Sequence, residues 1–165
     1  MISSNFIRWS GAFAILGGIS SLFMAYIIAF MGESMPKWGP LVYLTLVFSI
    51  PIALVGIYLH QKATAGVFGL IAFLVALAGA VFLIMPSDFG GMVLALGLIL
   101  ISVSMLRAAS FPNWVAWLWI AGMMLYLLGT FLNNSQASIS FISLATIVFG
   151  LGLLGAGYTL WTRSA

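Results

Sequence analysis

The sequence predicts an all-α fold, a polytopic membrane helix bundle of six transmembrane helices that makes one transmembrane domain of residues 1–165. Three observations lead there: 64% of the 165 residues are hydrophobic, only 4% are charged, and the apolar residues fall in long uncharged runs. Soluble domains carry about 25% charged residues. A soluble fold this small could not cover so much apolar surface, because surface grows too fast relative to core. With a mean hydropathy of +1.27, the composition is stable in lipid.

Crossing the hydrocarbon takes about 20 apolar residues per helix. The runs place spans at about 6–31, 40–60, 63–85, 90–106, 112–132 and 139–161. The first has Arg8 ahead of an apolar stretch too long for a signal-peptide core and lacks a clear small-x-small site, so it is expected to be a retained span. Residues 32–37 (GESMPK) break the pattern, and Pro40 suits the first turn of the second helix. His60, Gln61 and Lys62 are expected to separate the second helix from the third. Pro86 stops the third, and Ser87 or Asp88 can cap the fourth. The fourth, the shortest of the six, closes at Arg107–Phe111, Pro112 opens the fifth, and residues 133–136 (NNSQ) turn into the sixth.

An even number of crossings puts both termini on one side, together with Arg8, Lys62, Arg107 and Arg163, and leaves Lys37 opposite. The positive-inside rule makes the four-cation side cytoplasmic. The expected location is therefore the cell (inner) membrane, multi-pass, with both termini cytoplasmic and Glu33 and Asp88 outside. Trp9, Trp38, Trp114, Trp117 and Trp161 fall near predicted helix ends, where indoles anchor at the interface. An aromatic cage for a cationic ligand would instead require these rings to converge.

The even helices end alike, at residues 56–62 (GIYLHQK), 101–107 (ISVSMLR) and 157–163 (GYTLWTR), which suggests three helical-hairpin pseudo-repeats over 8–62, 63–107 and 108–163. Shared cytoplasmic-edge chemistry is the simpler source of the same likeness.

Lipid supplies no hydrophobic force between helices, so close approach through small residues takes its place. Ala14, Gly17, Gly18 and Ser21 on the first helix, Ala65, Gly69, Ala72 and Ala76 on the third, and Gly152 and Ala156 on the sixth are the packing candidates. Pro51 is expected to kink the second helix, because proline removes a backbone hydrogen bond. Gly150, Gly152 and Gly155 match a dinucleotide-binding spacing, but that motif works only between a strand and a helix, and here it lies inside an apolar span.

Candidate chemistry is sparse. With no cysteine, one histidine and two acids, no catalytic, cofactor or metal site is expected, and the protein is expected not to be an enzyme. His60 is expected in an exposed loop. No acid, Lys or Arg falls deep inside a span, where ion-coupled transporters keep their coupling residues. The intramembrane polar groups are mainly hydroxyls: Ser20, Ser21, Tyr26, Tyr43, Thr45, Ser49, Ser102, Tyr126, Thr130, Ser143 and Thr146. The five dispersed basic residues behind the +3 net charge do not form the clustered face of a nucleic-acid binder.

The opening Ile7-Arg8-Trp9-Ser10-Gly11, followed by Leu16-Gly17-Gly18, resembles the start of many small, uncharacterised bacterial multi-pass proteins. The six-span layout is also similar to that of small bacterial acid-resistance membrane proteins. The resemblance implies a polytopic fold and carries no functional residue. The leading functional expectation is a non-enzymatic accessory or structural subunit of a larger membrane complex, or a homo-oligomer. Its partners would be membrane lipids and other subunits or copies of itself. The alternative is a channel or facilitator for a small neutral or apolar solute.

Overall fold

The computed structural model describes residues 4–31, 36–84, 88–132 and 136–163. They form five helices: α1 (Ser4–Phe30), α2 (Gly39–Phe82), α3 (Asp88–Ala108), α4 (Asn113–Phe131) and α5 (Gln136–Arg163). All five are long and apolar enough to cross a membrane. The all-α class agrees with the sequence, but the count of six helices does not. The residues expected as the second and third helices belong to one element, α2, which stays helical through His60, Gln61 and Lys62. Those three side chains have ordinary helix propensities and supply no physical stop. The interruption comes at Gly66, where φ is 59° and ψ is −158°, a conformation essentially reserved for glycine.

That one residue reverses the chain. A straight helix of 44 residues would be about 66 Å long, roughly twice the hydrocarbon thickness. Instead the Tyr43 hydroxyl donates to the Leu83 carbonyl at 2.9 Å. Tyr58 stacks on Phe73 with ring centroids 4.7 Å apart. Thus α2 is two antiparallel arms, 39–65 and 67–82.

Around the bundle each segment touches the next. The first arm packs on α1 (Gly17 against Ser49, Gly56 against Ser10), and the second arm packs on α3 (Gly79 against Leu94, Gly97 against Ala76). Helix α3 packs on α4, α4 on α5, and α5 returns to α1. At this last seam the backbones meet: a Cβ on Gly11 would lie 2.8 Å from the Gly157 carbonyl, and one on Gly18 would lie 2.8 Å from that of Gly150. The start of α1 therefore lies beside the end of α5. The α1–α5 contact is the most extensive in the bundle. A division into three hairpins would split this pair between repeats, and the pseudo-repeat finds no confirmation here.

The core is solid in the half nearest the termini. Trp119, Leu54, Ile57, Ile101, Met105 and Leu160 are all fully buried there. Pro51 lies inside the first arm of α2, and the non-helical backbone within that element is at Gly66. Pro40 does occupy the first turn of α2, and Pro112 stands immediately before α4 rather than inside it. Glu33, the Ser87 cap and the turn at 133–135 lie outside the described residues, as does the Asp88 side chain. The outer face carries many exposed Leu, Ile, Phe and Trp side chains, far more apolar surface than water-soluble monomers present.

Candidate functional site

In the half of the bundle away from the termini the core opens into a cavity of about 130 Å³. Every helix contributes to its wall: Ser21 from α1, Ile50 from the first arm of α2, Leu94 from α3, Tyr126 from α4, and Thr146 and Phe149 from α5. Small residues make the space. Ser21, Gly91 and Ala145 stand where leucines would meet, and the Tyr126 hydroxyl lies directly over Gly91. Toward the termini the floor closes on Leu98 and on Trp119, whose ring centroid is 5.9 Å from that of Phe149.

Its polar groups have a definite sense. Ser21 Oγ donates to the Thr146 carbonyl at 2.7 Å, crossing from α1 to α5. Thr146 Oγ1 donates back to the Ile142 carbonyl at 2.7 Å. Both hydroxyl protons are thereby committed, leaving their lone pairs as acceptors. Among the described residues no charged side chain lines the cavity. Apolar cavities of about 150 Å³ hold benzene or xenon, whereas drug-sized ligands need roughly 300 Å³ or more. The chemistry on offer is shape, apolar contact and weak hydrogen-bond acceptance. Among the described residues no three of His, Asp and Glu come together.

The packing candidates sit at helix contacts. Ala14, Gly17, Gly18, Ser21, Gly69, Ala72, Ala76, Gly152 and Ala156 are buried, and Ala65 is half-buried at the turn. Of the three fingerprint glycines, Gly150 faces α1, while Gly152 and Gly155 face Trp119 and Trp114 of α4. Trp9, Trp38, Trp114, Trp117 and Trp161 are exposed. They spread over both ends: Trp161 lies beneath the Arg8 guanidinium at 5.0 Å, and Trp38 meets Phe23 edge-on at the other end. They do not converge into a cage.

His60 is not a loop residue. It lies in α2, half-buried, with its ring 5.2 Å from that of Phe111. Two residues escaped the sequence reading. Trp119 is the sixth tryptophan and is fully buried, because it lies five positions beyond Trp114 and hence on a different face of α4 from the exposed pair. Gln61, assigned to a connection, is 1% exposed. Its Oε1 accepts from Ser110 Oγ at 3.5 Å, and its Nε2 has no partner. Ser104 Oγ, Trp119 Nε1 and Ser143 Oγ are also buried without a hydrogen-bond partner. Each such group costs about 1–3 kcal/mol of desolvation.

Fold and cavity together fit the class of helical-bundle membrane proteins. Comparison with known proteins takes the assignment no further: no protein-family model, curated protein or solved structure matches the chain.

Proposed function

We propose that this chain is a non-enzymatic, multi-pass protein of the cell membrane that binds a small neutral or apolar solute in its central cavity and facilitates that solute's movement at the membrane. The observation that carries the reading is a cavity walled by all five helices whose polar side chains, among the described residues, are uncharged hydroxyls. The Ser21 and Thr146 hydroxyls already donate to backbone carbonyls, so they offer an uncharged solute weak acceptance and no charge. In this reading the two arms of α2 each cross the bilayer, making six crossings with both termini cytoplasmic. The support is the fold-back at Gly66 and the grouping of Arg8, Lys62, Arg107 and Arg163 against Lys37. Because the chain lacks cysteine, single Lys37→Cys and Lys62→Cys variants can be labelled cleanly with an impermeant maleimide. Labelling of both from the same face would refute six crossings.

The functional test is flux of small uncharged solutes into proteoliposomes, with Ala145→Leu as the blocking variant because Ala145 lines the cavity. Flux through the native protein that Ala145→Leu removes is the expected result. Equal flux with and without this substitution overturns the cavity's role. The second reading is an accessory or structural subunit, or a homo-oligomer. It is favoured by the exposed aromatic surface of Phe23, Tyr26, Phe30 and Trp38 around the α1–α2 edge. Against it, the small-residue faces of α1 and α5 are already used within the chain. Gentle extraction followed by native mass separates the two: a stoichiometric protein partner selects the second reading, and a monomer carrying at most lipid selects the first.

A further inference from the structure

At the end of the bundle where α1 begins and α5 ends, a hollow of about 230 Å³ is walled by Asn5, Arg8, Trp9 and Trp161. Trp161 also walls a second hollow of about 400 Å³, which continues along the outer face between α1 and α5 past Ala12, Leu16 and Tyr158. The first is polar and basic; the second is apolar. Between them the Arg8 guanidinium lies 5.0 Å over the Trp161 ring, which fixes the charge at their junction.

We propose that these joined hollows bind one anionic phospholipid, its phosphodiester against Arg8 and Asn5 and one acyl chain along the groove. Guanidinium presents paired donors that match phosphate oxygens, and a ring-stacked guanidinium is already oriented to do so. Indoles flank the hollow on both sides, as they do at headgroup level. From Arg8 to Leu16 the helix rises about 12 Å, so the groove follows a chain well into the hydrocarbon. Charge selects the headgroup. Arg8 shares its end of the bundle with Arg107, which lies 4.9 Å over Phe68 just past the α2 reversal. Of the sequence's two acids, Asp88 begins α3, at the opposite end. Among the described residues this end is cationic and carries no acidic side chain, which favours anionic over zwitterionic lipid. The proposal rests on the membrane assignment and is independent of the solute cavity.

The test is native mass spectrometry of the detergent-solubilised protein with dioleoylphosphatidylglycerol and dioleoylphosphatidylcholine added separately. One phosphatidylglycerol adduct is expected, retained about tenfold more tightly than phosphatidylcholine. Arg8→Gln should abolish that preference, because about tenfold is the loss of one hydrogen bond to a charged group. Arg8→Lys should keep part of it, and Arg107→Gln, which is outside the hollow, should lower it far less than Arg8→Gln does. Leu16→Trp, which fills the groove with Arg8 untouched, should lower retention by itself and decides the matter if Arg8→Gln does not fold. Equal retention of the two lipids, or full retention in both Arg8→Gln and Leu16→Trp, overturns the proposal. Competition by glycerol phosphate as strong as by the lipid would make this a soluble-anion site. A dimer mass lost in Leu16→Trp would give the groove to a second copy. Either result also overturns it.

Discussion

Replacing Gly66 with alanine tests the reversal of α2 through the backbone alone. At φ 59° and ψ −158° an L-residue is strained by about 1–3 kcal/mol. No other term competes, since a Cβ at this position meets nothing within 4 Å. Gly66→Ala should therefore lose about 1–3 kcal/mol with no steric contribution, measured by unfolding in mixed micelles with tryptophan fluorescence as the readout. Gly66→Asn should do no better: asparagine is tolerated in the left-handed helical region near ψ +47°, not near −158°. The geometry itself can be read by spin-label distances between cysteines at the exposed positions Leu44 and Ile84. Antiparallel arms place these backbones within about 10 Å, whereas forty residues of continuous helix would separate them by about 60 Å. A loss below about 0.5 kcal/mol in Gly66→Ala, or the long distance in the native chain, would refute the reasoning.

Three further outcomes rest on the packing. Ala109, with φ 48°, is the non-glycine residue with a left-handed backbone, just past α3; Ala109→Gly should raise unfolding stability by about 1 kcal/mol, since glycine is the usual residue there. Gly152→Ala drives a methyl into the Trp119 indole and should cost about 1–3 kcal/mol. Adding Trp119→Phe should recover part of that loss, visible as non-additivity in a double-mutant cycle. Gln61→Met removes a buried donor that has no partner and should stabilise by about 1 kcal/mol in the same assay; destabilisation would mean that the carboxamide is bonded in the membrane-embedded protein.

Composition carried the fold class because it is a property of the whole chain, and a membrane is the one solvent that tolerates it. Helix ends at prolines were legible for the same local reason: Pro40 and Pro112 each sit at or just before a first turn. The reversal was misplaced because charge and polarity drew attention to His60, Gln61 and Lys62, whereas helices end where the backbone must leave helical space. Gly66 stood in view as one small residue among many, and nothing local distinguishes a glycine that packs from one that turns. The cavity was legible only in part. Ser21, Tyr126 and Thr146 were recognisable as intramembrane hydroxyls, but their convergence depends on the closing of α5 against α1, a contact across most of the chain. Trp119 could have been separated from Trp114 and Trp117 by helical phase alone.

The two halves of the bundle differ in how their centre is filled and in which hydroxyls tie one helix to another. Near the termini, helices approach through glycine, as at Gly11 with Gly157, and large side chains fill the centre. There the hydroxyls turn back on their own helices, Ser10 to Phe6 and Thr159 to Gly155. Toward the other end, three hydroxyls reach across instead: Ser21 to Thr146, Ser138 to Gly129 and Tyr43 to Leu83. A hydrogen bond of this kind in a membrane contributes about 0.6 kcal/mol and fixes two helices without filling the space between them. Helices approach through glycine at this end as well, as at Gly79 with Leu94 and Gly129 with Ile142, and the cavity opens in the centre between them. An unfilled volume of about 130 Å³ costs at most about 3 kcal/mol by the usual cavity scaling. A solute that fills the space recovers that energy, which is the physical basis for reading the cavity as a binding site.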